Sequence, residues 1–380
     1  MGNETATVSP GQVEVVQATL NPLRIALFAP VESRLNPYAQ LLRQALANAS
    51  AGNECHLENW FSMRWLLNNW ARVDILHFHW LEYTCRGDSR IATYRRFVLL
   101  LIALCLAKFA GLKIVYTVHN AVPHANDHAV LNHLTNRVMF AIADAIHVHD
   151  NRSGEEIGRL YGRRRDVFEI PHGSYIDAYP NSCSREWARS KLGIPRDNFV
   201  YLFLGQLRPN KGLEDLIAAF CRLRGDGASL LIAGWAPSED YRRQIQEATT
   251  WDTRISAYLE FVPDEELQLY YSASDICVLP YKQVTTSGAA LLAFSFGKAI
   301  IAPRLGCFHE LVQENSGILY DAEQSSGLLN ALQAGRELDL SKAGEAALSL
   351  ARNLDWQSIG EQHLEMYREI TRAGTKAQGR

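Results

Sequence analysis

No run in this 380-residue chain is both long and apolar enough to span a bilayer. The most apolar stretch, 97–107 (FVLLLIALCLA), is short and is flanked by Arg95, Arg96 and Lys108. A crossover between two buried strands should be this greasy, so it reads as core. No basic, then apolar leader opens the chain: residues 1–20 are polar and small and read as a disordered lead-in. No Cys-x-x-Cys pair occurs, and the seven cysteines are scattered and mostly set in apolar runs. That excludes a disulfide framework and fits free buried thiols in a reducing compartment. There is no excess of positive charge: the net charge of −3 gives no support to a nucleic-acid partner.

What is present is an ordinary globular composition, 47% hydrophobic and 21% charged. The length suits about two domains at ~150 residues each. Short apolar runs at 23–29, 73–78, 113–118, 145–149 and 167–170 read as buried parallel strands. Helical spacing separates them, at 38–47, 94–110, 130–143 and around 154–161. A stretch rich in Pro, Ser and Asn follows, 177–198, and then the alternation resumes. Strands are expected at 199–204, 229–233, 259–262, 276–279, 299–302 and 318–320, and a broken helical tail at 340–371. This predicts an α/β protein of two doubly wound, Rossmann-like domains, 21–180 and 181–352, with a terminal helix, 353–371. Ligands bind such sheets at the carboxyl ends of the strands, here in a cleft between the halves.

Two junctions in the second half carry chemistry. The strand at 201–204 runs into Gly205-Gln206-Leu207-Arg208-Pro209-Asn210-Lys211-Gly212 and a helix. The strand at 276–279 runs into Pro280-Tyr281-Lys282, then Thr285-Thr286-Ser287-Gly288 and a helix. A helix start offers free N–H groups and a positive dipole end to an anion. Glycines let the backbone approach closely, and Arg208 and Lys211 supply a fork and a point charge. Ser287 fits two compatible roles, helix cap and phosphate ligand. Gly205, Arg208, Lys211, Tyr281, Lys282, Ser287 and Gly288 are therefore the candidate diphosphate site, the mark of a nucleotide-sugar enzyme.

The motif order resembles the GT-B glycosyltransferases, and more narrowly the bacterial GDP-mannose:glycolipid 4-β-D-mannosyltransferases of xanthan-type exopolysaccharide assembly. The resemblance rests on Asn36-Pro37-Tyr38, the run 74–83 (DILHFHWLEY), Val118-His119-Asn120 with Pro123-His124, His172-Gly173, the two junctions above, and Asp355-Trp356. It implies a GT-B fold whose last helix crosses back to the first domain. It also implies a GDP-mannose donor, a lipid-linked oligosaccharide acceptor, and a location at the inner face of the cytoplasmic membrane. The larger retaining GT-B group usually carries two glutamates where this chain has Val284 and Leu292. That departure fits inversion.

Inverting transfer needs a base from the first domain. Glu82, just past a strand end, is the first candidate and His119 the second, with His79 and His124 as acceptor or sugar contacts. No metal is expected: no Asp-x-Asp stands in a suitable loop, and His124 and His128, though four apart, have no third ligand fixed by spacing. Trp60, Trp65 and Trp70 with Arg64 and Arg72 fit peripheral contact with anionic lipid. Arg163-Arg164-Arg165 reads as a solvated turn. Two alternatives stay open: a UDP-sugar donor, and a non-catalytic nucleotide-sugar-binding protein.

Overall fold

The computed structural model describes residues 22–29, 36–49, 52–80, 89–119, 129–313 and 315–378. The lead-in expected at 1–20 lies outside them. The first sheet holds β1 (Arg24–Phe28), β2 (Glu54–Glu58), β3 (Ile75–Phe78), β4 (Lys113–Thr117), β5 (Ala145–Val148) and β6 (Val167–Glu169), in the order β2-β1-β3-β4-β5-β6. The second holds β7 (Phe199–Leu204), β8 (Ala228–Ala233), β9 (Ile255–Tyr258), β10 (Ile276–Val278), β11 (Ile300–Pro303) and β12 (Gly317–Tyr320), in the order β12-β11-β10-β7-β8-β9. Every pairing is parallel. Helices α1 (Tyr38–Ala49), α2 (Met63–Asn69), α3 (Arg90–Phe109), α4 (Ala129–Ile142) and α5 (Asn151–Tyr161) serve the first sheet. Those of the second half are α6 (Arg185–Lys191), α7 (Leu213–Arg222), α8 (Glu239–Thr249), α9 (Leu267–Ala273), α10 (Gly288–Ser295), α11 (Phe308–Leu311), α12 (Gly327–Gly335) and α13 (Leu340–Asn353).

Alternation along the strands sorts the first core into two layers. Ala26, Phe28, Leu76 and Phe78 face α3 and α4 residues such as Leu104 and Met139. Ile25, Leu27 and Ile75 face the other way, toward Leu42 of α1 and Leu364, Tyr367 and Ile370. The last three belong to α14 (Trp356–Gln378), which therefore completes the first domain from the end of the chain. The indole N–H of Trp356 donates to the Ser174 carbonyl at 2.7 Å, and the Ser174 N–H donates to the Leu354 carbonyl at 2.9 Å, so the two crossings are tied together. Gly173 is required there, because any Cβ would enter the Trp356 ring.

The start of the second sheet is pinned by a buried ion pair. The guanidinium of Arg189, on α6, is 1% exposed and donates to Asp275 at 2.7 Å and to the carbonyls of Ala273, Arg196 and Asn198. Asp275 also accepts from Arg185 and from the Val200 N–H. Removing one partner of such a pair typically costs about 3–5 kcal/mol, because the other charge is stranded.

Four expectations are corrected. β2 (ECHLE) is an edge strand, with only Cys55 fully buried, so it carries no apolar run to announce it. The strand expected at 259–262 lies at Ile255–Tyr258: Leu259 is buried just beyond the ladder, and Pro263 follows. Helix α3 is not core all round. Phe97, Leu100, Ala103, Leu104 and Ala107 are buried, whereas Val98, Leu99, Ile102 and Leu106 are about half exposed and Ile91 and Phe109 almost wholly so. The thiols divide as well: Cys55, Cys277 and Cys307 are buried, Cys183 and Cys221 intermediate, and Cys105 exposed on α3.

Candidate active site

In the second sheet the chain steps outward from β7 to β8 and β9, then returns to the other side of β7 as β10. The loops after β7 and β10 therefore leave side by side at the switch point, where doubly wound sheets open a crevice. They are stitched down by Leu207 N–H to the Trp235 carbonyl at 2.8 Å and Lys282 N–H to the Asn210 carbonyl at 2.9 Å. Gly212 sits at φ +67° with its α-carbon against the Pro280 carbonyl, a place no side chain could occupy. Gly205 ends β7, its N–H donating to Ala233.

The cations differ in their balance. Arg208 is half-buried, with no carboxylate partner among the described residues. The Lys211 ammonium lies 3.5 Å from the Tyr281 ring centroid. Burial, with Arg208 adding to it, pulls Lys211 down to about 8. Lys282 is different: it pairs with Asp215 at 3.0 Å, both groups half exposed, an interaction worth about 0–1 kcal/mol. Ser287 caps α10 by accepting from the Ala290 N–H at 3.3 Å. Gly288 follows, close to the Tyr175 hydroxyl, and the first N–H groups of α10 have no helical partner. Two cations without a carboxylate partner among the described residues thus stand near a capped helix start, an arrangement suited to an anion. The Gly297-Lys298 pair lies elsewhere, the buried Lys298 ammonium donating to the Ser274 carbonyl at 2.8 Å.

The facing half is a cluster of imidazoles. His77 and His79 end β3, His119 follows β4, His147 and His149 end β5, His172 follows β6, and His363 comes from α14. Neighbouring ring centroids are 4.3–6.2 Å apart. Tyr38, 1% exposed, is their hub, against His79, His119, His149, His172, Trp80 and Trp356. Burial alone lowers His172 and His363 to about 4; burial, then repulsion from neighbouring histidines, lowers His79 to about 3 and the others well below the ordinary range.

Neutrality fixes where the hydrogens are. The Ile170 carbonyl can only accept, so His147 donates to it from Nε2 at 2.9 Å. His147 Nδ1 is then bare and accepts from the Thr117 hydroxyl at 2.8 Å. Thr117 in turn accepts from His77 Nε2–H at 2.6 Å, and bare His77 Nδ1 accepts from the Tyr367 hydroxyl at 2.6 Å. The chain of donors runs one way, from α14 through β3 and β4 to the strand β6 exit. His119 Nε2 lies 3.2 Å from His79 Nδ1, and its ring is stacked under Trp80, whose φ of +45° is costly for so large a residue.

Across the cleft, the Thr286 hydroxyl donates to the His119 carbonyl at 3.3 Å, and Arg152 donates to the Gly306 carbonyl at 3.2 Å. Between the halves lies a cavity of about 310 Å³, lined by His149, Asp150 and His172 on one side and Thr286, Ser287 and Glu310 on the other. Two larger hollows lie elsewhere, one beside Trp187 and the end of β9, the other beside Arg24 and Asp74 at the amino ends of β1 and β3. Thus His119 and the Ser287 junction are brought together, while His79 is buried behind them. Glu82, His124 and His128 lie outside the described residues. Among the described residues no group of three His, Cys, Asp or Glu side chains is placed to hold a metal ion. His149 and Tyr175 were not anticipated. The signal was available: His147 and His149 alternate at a strand end as His77 and His79 do, so each pair shares a face.

Residues 198–334 match the family described as Glycosyl transferases group 1. Sucrose-phosphate synthase from Thermosynechococcus elongatus shares the fold at TM-score 0.72 and 19% identity, over 92% of this chain and all of that one. Anabaena HepE, solved with UDP-glucose, does so at 0.71 and 16%, over 91% of this chain and all of that one. The fold is GT-B, and the chain is a glycosyltransferase. It is 29% identical over 363 residues, 93% of this chain and 95% of the relative, to the GDP-mannose:glycolipid 4-beta-D-mannosyltransferase of Xanthomonas campestris pv. campestris. It is also 31% identical over 246 residues to the D-inositol 3-phosphate glycosyltransferase of Corynebacterium efficiens, covering 61% of this chain and 58% of that one.

Two predictions follow from these charges. The buried histidines titrate lower when folded than their unfolded value of 6.5, so the unfolded chain binds more protons below that pH. Their contribution to stability is complete above pH 6.5 and is lost as pH falls toward 4. The urea midpoint should therefore drop between pH 7 and 5; a flat midpoint would contradict neutral burial. Lys211, held near 8, should regain its proton when a nucleoside diphosphate binds. Calorimetry at pH 8 in buffers of different ionisation heat should report proton uptake that Lys211→Met abolishes, and equal heats would refute the assignment.

Proposed function

We propose that this glycosyltransferase moves mannose from GDP-mannose to a polyprenyl-diphosphate-linked oligosaccharide in exopolysaccharide assembly, inverting the anomeric carbon to give a β linkage. The observation that carries this reading is the similarity to the Xanthomonas mannosyltransferase over nearly the whole of both chains. The acceptor hydroxyl attacks the anomeric carbon, the bond to the diphosphate breaks, and a first-domain base, Glu82 or His119, takes the hydroxyl proton. Negative charge grows on the leaving diphosphate and is met by Arg208, Lys211 and the start of α10, fixed donors that need no reorganisation. Neutralisation is assigned to these groups, so the reading requires no metal.

Calorimetric titration with GDP and UDP should show GDP bound more tightly, and Arg208→Ala should weaken GDP about tenfold, roughly 1.4 kcal/mol. In a transfer assay with GDP-mannose and a lipid-linked acceptor, Glu82→Gln and His119→Gln should keep GDP affinity, and the one that loses turnover identifies the base. Preference for UDP would discard mannose. Nucleotide binding without turnover on any lipid-linked acceptor would favour a non-catalytic role.

The lipid carrying the acceptor meets the first domain, in this reading, at α2 and α3. No described helix is long and apolar enough to cross a membrane. The outer face of α3 instead presents Ile91, Val98, Leu99, Ile102, Leu106 and Phe109, beside Trp60, Leu67 and Trp70. Arg64, Arg72, Arg90 and Arg95 lie exposed around it. Trp65, grouped with the other tryptophans from sequence, packs on Phe28 at 4.8 Å and belongs to the core. An apolar face rimmed by arginines suits the interface of an anionic bilayer. Sedimentation with phosphatidylglycerol vesicles should fall several-fold for Ile91→Ser with Phe109→Ser; equal sedimentation of both proteins would refute this surface.

A further inference from the structure

Within the imidazole cluster, His149 is set apart by its chemistry. It is 7% exposed. Its Nδ1 lies 3.3 Å from the Ile170 carbonyl, which can only accept, so Nδ1 carries the hydrogen. Nε2 is therefore bare. It is buried and has no hydrogen-bond partner among the described residues. The Ile170 carbonyl already receives His147 Nε2–H, so both rings of β5 are locked in register by one oxygen. An unmade hydrogen bond on a buried acceptor is a cost that a folded protein seldom carries without a use. His79 and His363 also have an unpartnered Nε2, but neither residue lines the cavity between the halves. His149 instead lines the cavity between the halves, together with Thr286 and Ser287 at the start of α10.

What would satisfy such a nitrogen is a neutral O–H donor. A phosphate oxygen could not, since neither partner would bring a hydrogen. An ammonium entering the cavity would pair with the Asp150 and Glu310 carboxylates that line it rather than with a neutral imidazole. A sugar hydroxyl fits, and the anion site beside Ser287 fixes which sugar: the one still joined to the diphosphate. We infer that His149 accepts, through Nε2, a hydrogen bond from a hydroxyl of the donor sugar, and so helps to select and orient that sugar for transfer. This rests on reading the cleft as a nucleotide-sugar site. No proton changes hands: the hydroxyl keeps its hydrogen, and His149 stays neutral throughout. Asp150 and Glu310 line the same cavity and offer further acceptors to a polyhydroxyl ring.

The test compares sugar nucleotide with bare nucleotide, by calorimetry, on wild type, His149→Leu and His149→Gln. GDP-mannose against GDP is one pair and UDP-glucose against UDP the other. His149→Leu should bind the nucleotide as the wild type does, and the preferred sugar nucleotide about tenfold more weakly. His149→Gln, whose amide oxygen can accept, should recover most of the loss. Unchanged sugar-nucleotide affinity in His149→Leu would overturn the inference. So would equal losses for nucleotide and sugar nucleotide, which would mark His149 as structural, or a wild type for which the sugar adds no affinity. Preference of the wild type for the UDP pair would overturn the mannosyl reading alone, and the same comparison within that pair would still decide the role of His149.

Discussion

An imidazole shut away from water can stay only if it is uncharged and its single N–H finds an acceptor. That constraint, imposed on six buried histidines at once, organises the first domain. It dictates that Ile170 be reached by two rings, that Thr117 relay between His77 and His147, and that Tyr367 arrive from the far end of the chain to close the series. The terminal helix is thus more than a lid on the hydrophobic layer: its hydroxyl is the first donor of a directed chain that ends at the exit of β6. The cleft wall is rigid because each hydrogen in that chain has one permitted position.

The second domain solves an opposite problem. It holds cations where the first sets neutral imidazoles beside the Asp150 carboxylate. Among the described residues Arg208 and Lys211 have no carboxylate partner, and Lys211 is partly desolvated over the Tyr281 ring. Such a site is costly when empty and favourable when an anion fills it, and the cost is met by the packed core beneath β7 and β10. A wall of imidazole and carboxylate acceptors facing a cationic one is a natural arrangement for a ligand that is a polyol at one end and a diphosphate at the other.

Much of this was legible in sequence, for particular reasons. The strand runs at 199–204 and 113–118 are apolar because both faces of a parallel sheet are covered, and they appear nearly where expected. The loop at 205–212 announced itself through its glycines and its clustered cations. What escaped notice depended on tertiary partners. β2 is an edge strand of mixed residues. Helix α3 is apolar on a face left exposed among the described residues. The pairing of Lys282 with Asp215 joins the loop after β10 to the first turn of α7, distant in sequence. The role of His149 depends on which of its nitrogens meets the Ile170 carbonyl, which periodicity cannot supply.

The central claim is that the diphosphate lies between the Arg208–Lys211 loop and the start of α10, with the sugar directed at the histidine wall. A crystal structure with GDP-mannose bound tests it most directly. The account predicts phosphate oxygens on Arg208, Lys211 and the first N–H groups of α10, and the mannose in the cavity between Ser287 and His149. A nucleotide seated away from those groups, or a sugar turned out of that cavity, would contradict it.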